Sequence, residues 1–126
     1  MKLASIDVGL KRIGIAICLT SDIVTPQTAI LRKNRNQAAR DVNIFLKEWE
    51  IEKLIVGFPS ASIDMQNRIN HFVSLLELEI PYEFCEENMS SIEAEDLIKG
   101  EIKYKRDGRI DSLAAKIILE RYLTKK

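Results

Sequence analysis

In the first quarter of the chain, apolar residues come in short runs without a helical period. Residues 2–7 carry Leu3, Ala4 and Ile6, continued by Val8, and read as a buried strand. The run halts at Asp7-Val8-Gly9, a turn where glycine permits backbone angles closed to other residues. A second strand, 12–19, follows within a few residues. So short a link requires an antiparallel hairpin, because a parallel crossover needs a dozen residues or more. Ser21-Asp22 marks another turn, and 23–31, interrupted by Pro26, reads as a third, edge-like strand.

The period then changes. Residues 34–50 space Ala38, Val42, Phe45, Leu46 and Trp49 as one helical face, behind the polar start Asn34-Arg35-Asn36. Residues 53–58 form an apolar strand ended by Gly57 and Pro59. A helix over 63–78 carries Ile69, Phe72, Val73 and Leu76 on one side, and 82–85 is a short strand. Ser90-Ser91-Ile92-Glu93 has capping-box spacing and opens a helix over 90–99. A basic loop, 99–109, leads into a last helix with Ile110, Leu113, Ala114, Ile117, Ile118 and Tyr122 on its buried side. The order β-β-β-α-β-α-β-α-α predicts an α/β fold in a single domain, 1–126. Its mixed five-stranded sheet joins an antiparallel three-strand meander to parallel strands, flanked by helices.

Composition narrows the functional classes. The 126 residues, 46% hydrophobic and 30% charged, suffice for one core without disulfide or metal staples. Nineteen basic and nineteen acidic residues cancel, so net charge announces no nucleic-acid partner. The cancellation hides a segregation. Residues 1–40 hold seven lysines and arginines against two acids, 77–98 hold none against eight, and 99–126 hold nine against four. No run approaches the ~18 apolar residues of a membrane span. Met1-Lys2 leads into the first strand without a signal-peptide core, so the expected location is cytoplasmic. Cys18 and Cys85, far apart among apolar neighbours, read as packed thiols, and the single His71 cannot build a histidine metal cluster.

Three acidic positions suggest chemistry. Asp7 closes the first strand, Glu86-Glu87 closes the strand 82–85, and Asp111 lies in the first turn of the last helix. In the expected sheet they converge on the edge where ligands gather. Singly, each has an ordinary role: a turn former, a solvated loop, an acid complementing a helix dipole. Together they repel and need a cation to stay ionised. Hard oxygen donors select Mg²⁺ or Mn²⁺ over zinc. Two such ions can activate water, stabilise a leaving oxygen and hold a phosphate for in-line displacement. In Asp7-x-Gly9-x-x-x-x-Gly14, Gly9 lets the backbone clear a ligand beside Asp7, and Gly14 lets a ligand or chain approach the second strand. Asp-x-Gly also opens actin-like sugar kinases and ATPases, but those need two domains and this chain has room for one.

Four segments, in order, carry a resemblance. They are Ile6-Asp7-Val8-Gly9-Leu10-Lys11-Arg12-Ile13-Gly14-Ile15-Ala16, then Ile55-Val56-Gly57-Phe58-Pro59, then Cys85-Glu86-Glu87-Asn88-Met89-Ser90-Ser91-Ile92-Glu93-Ala94, and last Gly108-Arg109-Ile110-Asp111-Ser112-Leu113-Ala114-Ala115 running on to Leu123. Over nearly its whole length the chain resembles the YqgF (RuvX-like) family of the RNase H-like superfamily. The family's acidic positions fall on Asp7, Glu87 and Asp111. The resemblance implies an RNase H-like fold, one or two Mg²⁺ or Mn²⁺ ions, and a phosphodiester substrate. Such proteins are described as Holliday-junction resolvases and as nucleases that finish the 5′ end of pre-16S ribosomal RNA.

The expectation is therefore a metal-dependent nuclease acting on pre-16S ribosomal RNA. The alternatives are a DNA-junction resolvase and, from another class, a catalytically silent RNA- or protein-binding module. A monomer or a homodimer is compatible, junction cutters being symmetric dimers as a rule. Three departures bear on substrate grip: Asn88 stands where the family has arginine, Leu10 where threonine is common, and 60–67 lacks glycine. Adjacent strand residues face opposite sides, so Glu86 and Glu87 compete for one role, and motif alignment favours Glu87. Lys11 and Arg12 beside Asp7, and Arg109 beside Asp111, are the candidate phosphate contacts. Lys103, Lys105 and Arg106 would add charge, and Tyr104 could stack on a base.

Overall fold

Alternation of apolar side chains gives the first strand two buried faces, and helices cover both. The computed structural model describes residues 1–20, 23–86 and 112–124. Leu3–Val8 (β1), Arg12–Cys18 (β2) and Thr25–Leu31 (β3) form the antiparallel meander. Lys53–Phe58 (β4) adds parallel to β1, and Tyr82–Glu86 (β5) parallel to β4. The sheet order β3-β2-β1-β4-β5 is the mixed five-stranded arrangement expected. It puts the carboxyl ends of β1, β4 and β5 on one edge. Pro26 lies on the edge strand β3, where a missing N–H costs least.

Arg35–Glu48 (α1), Ile63–Leu75 (α2) and Leu113–Thr124 (α3) are the described helices. The expected helix over 90–99 and the basic loop over 99–109 lie outside the described residues. On one face Ala4, Ile6, Ile13, Ile15, Leu54 and Val56 pack against α1 and α2. On the other, Leu3, Ala16, Cys18, Ile55 and Cys85 pack against Ala115, Ile118, Leu119 and Tyr122 of α3. Both cysteines are buried free thiols. Among the described residues no helix is long and apolar enough to cross a membrane.

Two helices stop earlier than their hydrophobic pattern predicts. α1 ends because Glu50 takes φ 53°. The Ile51 N–H then reaches the Leu46 carbonyl and the Glu50 N–H the Lys47 carbonyl, a complete Schellman cap in which Ile51 and Leu46 join the core. Trp49, expected inside, is 36% exposed and rests against Phe45. α2 ends at Leu75 because Leu76 turns extended, though Leu76 stays buried as predicted.

Hydroxyl groups set the position of α3. The Ser5 hydroxyl on β1 donates to the Ala115 carbonyl at 2.6 Å, and Ser112 Oγ accepts the Ile15 N–H of β2 at 3.0 Å. Both serines are fully buried. The second bond forms where the β2–β3 ladder shifts register, between Ile13 and Ile15. At the other end of α3, Lys53 Nζ donates to the Tyr122 hydroxyl at 2.7 Å and pairs with Glu83 at 3.6 Å. The Tyr122 hydrogen bond is the main reason the Lys53 ammonium sits above its ordinary pKa. Contacts at Ile15, Ser5 and Lys53 in turn mean that α3 runs antiparallel to β1.

Two stability changes are expected. Ser112→Ala leaves the buried Ile15 N–H without its acceptor and costs about 1–3 kcal/mol in denaturant unfolding. A midpoint equal to wild type would show that the bond carries nothing. Glu50→Gly relieves a left-handed residue and raises stability by about 1 kcal/mol, read as a higher Tm. Removing the Lys2–Glu50 pair, mostly exposed at 3.5 Å, subtracts little.

Candidate active site

Asp7 is the penultimate residue of β1, half-buried, and its side chain belongs to the α3 face by alternation with Leu3 and Ser5. Its antiparallel partner on β2 is Gly14. On the other side Ile6 pairs with Val56, so the next residue of β4 is Gly57. Both lateral neighbours of the carboxylate therefore lack side chains, and the wall around it stays open. Two positions back along the strand, Ser5 holds α3. The Ser112–Ile15 bond brings the start of α3 to the residue after Gly14.

An open cavity of about 900 Å³ begins at this point, walled by Asp7, Gly9, Lys11, Arg12 and Gly14, with Leu31 and Met65 also on its lining. Arg12, two positions before Gly14, shares the face of Asp7. The structure thus gathers Asp7, Lys11 and Arg12, as expected. Gly9 is needed for a different reason from the one its sequence position suggests. Its N–H donates to the Arg12 carbonyl at 3.0 Å, and an added Cβ would stand 2.6 Å from that oxygen. Space, and not a left-handed backbone, excludes a side chain there. The loop is also tied by the residue that follows β3: the Arg32 N–H donates to the Lys11 carbonyl at 2.9 Å and the Arg32 guanidinium to the Gly9 carbonyl at 2.7 Å.

Glu86 lies on the wrong face to join Asp7. Cys85 packs under α3, so Glu86 shares the opposite side with Phe84, whose ring lies 4.6 Å from that of Phe58. There Glu86 Oε1 accepts a 2.8 Å hydrogen bond from the Ser60 hydroxyl. Glu87, Asp111 and Arg109 lie outside the described residues, as do Lys103, Tyr104, Lys105, Arg106 and Asn88. Among the described residues no three His, Cys, Asp or Glu side chains gather closely enough to hold an ion. The donor present, a carboxylate on an open wall between two glycines, fits a hard cation such as Mg²⁺ or Mn²⁺.

Sequence reasoning missed Gly57 as the second clear flank of Asp7. Its signal was the glycine inside an apolar strand, a position that costs packing unless something approaches closely. It also missed Met65 and Arg32, which pattern alone assigns to a helix face and a strand end.

A family model described as "RuvX: Holliday junction resolvase" matches residues 1–125. A protein of Sulfurovum sp. (strain NBC37-1), named "Putative pre-16S rRNA nuclease", is 65% identical over 127 residues, covering 98% of this chain and 99% of the relative. A relative of the same name from Sulfurimonas denitrificans is 52% identical over 129 residues, covering 100% and 99%. Among solved structures, the fowlpox virus Holliday junction resolvase superposes with a TM-score of 0.64 at 15% identity, covering 100% of both chains, a likeness of fold alone. With its RNase H-like mixed sheet, the chain belongs to the RuvX family of Holliday junction resolvase-like nucleases.

Proposed function

We propose that the protein is a metal-dependent nuclease whose substrate is the 5′ region of precursor 16S ribosomal RNA. The observation that carries the reading is Asp7, set between Gly14 and Gly57 at the carboxyl edge of the central strand, on the face where α3 begins. Asp7, Glu87 and Asp111 are the proposed catalytic and metal-holding carboxylates. Ser112, next in sequence to Asp111, is anchored one residue from Gly14, which supports the assignment of Asp111. Glu86 bonded on the opposite face supports Glu87 in its place.

When bound, one or two Mg²⁺ or Mn²⁺ ions would supply water activation and charge neutralisation at the phosphate. Lys11, Arg12 and Arg109 hold non-bridging phosphate oxygens by charge-assisted hydrogen bonds, which position the strand without reading its sequence. The names of the relatives support RNA. The family description and the fowlpox neighbour support a four-way DNA junction as the second reading.

The test is cleavage of a precursor 16S 5′ segment, an unrelated single-stranded RNA and a four-way DNA junction, each with Mg²⁺, Mn²⁺ or EDTA. Asp7→Asn removes a ligand charge with almost no change in volume. It is expected to lower cleavage at least about a hundredfold, the scale of losing one group that acts at the transition state, with an unchanged Tm. Wild-type activity in the variant, or cutting that persists in EDTA, would overturn the reading. Preferential cutting of the junction would transfer it to DNA.

A further inference from the structure

Beyond the loop that carries Gly9, on the α1–α2 side of the sheet, three arginines converge. The Arg32 guanidinium lies 5.6 Å from the centre of the Phe72 ring while it holds the Gly9 carbonyl. Arg35 in the first turn of α1 donates to His71 Nε2 at 2.9 Å. A guanidinium has no acceptor, so this imidazole nitrogen is the accepting one. Arg68 precedes His71 and Phe72 by three and four residues on α2, which stacks it on the same helical face. Burial lowers the Arg32 pKa, and the charges of Arg35 and Arg68 lower it further, as expected of close neighbours. Among the described residues none of the three makes a salt bridge.

Like charges brought close together cost stability, and here they are also held in place. A ring and a carbonyl orient Arg32, and His71 orients Arg35. A small cavity of about 90 Å³ opens between Arg32 and Arg68, bounded by Gly9, Leu10 and Met65. Those same three residues line the cavity at Asp7. The two hollows therefore adjoin across one ridge. Leu10 on it is 67% exposed and Met65 38%, an apolar saddle between the Asp7 edge and the arginines.

We propose that Arg32, Arg35 and Arg68 form a second phosphate-binding surface, which grips the nucleic-acid strand where it leaves the Asp7 edge over Leu10 and Met65. The identity of the ligand rests on the nuclease reading; the arginine cluster does not. Oriented guanidiniums match phosphate oxygens in a fork geometry that lysine cannot reproduce. An extended strand suits the place, since sugars and bases can lie on the apolar saddle while phosphates reach the arginines.

The experiment measures binding of a fluorescein-labelled single-stranded RNA and of a labelled four-way DNA junction in EDTA, across a salt series. Arg35→Gln/Arg68→Gln changes two exposed side chains and leaves Arg32, which braces the loop, in place. On RNA the slope of log K against log salt is expected to flatten by about 1.4, roughly 0.7 for each phosphate no longer neutralised, with Kd at least about tenfold weaker at low salt. Arg40→Gln/Lys47→Gln removes the same charge elsewhere on α1 and should leave both readouts near wild type. Weaker binding of RNA alone, or of both probes, supports the surface. An unchanged slope on both, or an equal weakening in the control pair, overturns it. Cleavage is scored in parallel: a wild type that binds through the arginines but cuts nothing refutes the nuclease reading alone, whereas cutting with an unchanged slope refutes this inference alone.

Discussion

Two buried hydroxyl contacts, Ser5 to the Ala115 carbonyl and the Ile15 N–H to Ser112, determine where the last helix meets the sheet. A buried polar group must find a partner or cost its desolvation, so each serine tolerates only a narrow range of helix positions. Apolar packing alone would let α3 slide, because Ala115, Ile118 and Leu119 present a fairly uniform surface. The serines remove that freedom at one end, and Lys53 with Tyr122 removes it at the other. The start of α3 is consequently delivered to the open wall beside Asp7.

The same edge explains the placing of glycine. A carboxylate on a sheet face is ordinarily crowded by the side chains of both neighbouring strands. Gly14 and Gly57 take that crowding away on both sides, while Gly9 lets the β1–β2 turn close against the Arg12 carbonyl. Among the described residues, these three small residues leave Asp7 on the lining of an open cavity. The basic residues on its lining come from the turn itself, at Lys11 and Arg12; Arg32, just past β3, lies beyond the Gly9 loop with Arg35 of α1 and Arg68 of α2. The zero net charge of the chain thus coexists with a local concentration of positive charge, because the field at close range depends on where charges lie.

Much of the fold was legible because its elements differ in period. Short apolar runs, a link too short for a crossover and the later switch to helical spacing specify a meander followed by parallel strands. Boundaries were less legible where one backbone angle overrode the pattern. At Glu50 a left-handed residue completes a cap that satisfies the final carbonyls of α1, a gain that hydrophobic periodicity does not register. Of the candidate site, Asp7, Lys11 and Arg12 were legible as a contiguous motif. The rivalry of Glu86 and Glu87 was not, since it turns on which face Cys85 occupies.

What the sequence determined by itself was the order and type of the described elements and the presence of an acidic strand end in a glycine-bearing motif. These follow from local sterics and side-chain period, which act between residues close in the chain. Tertiary structure alone decided that Gly57 would flank Asp7, that Glu86 would turn away to Ser60, and that Arg32, Arg35 and Arg68 would meet. Those outcomes depend on strand register and helix packing, which join residues tens of positions apart through contacts that no local pattern encodes.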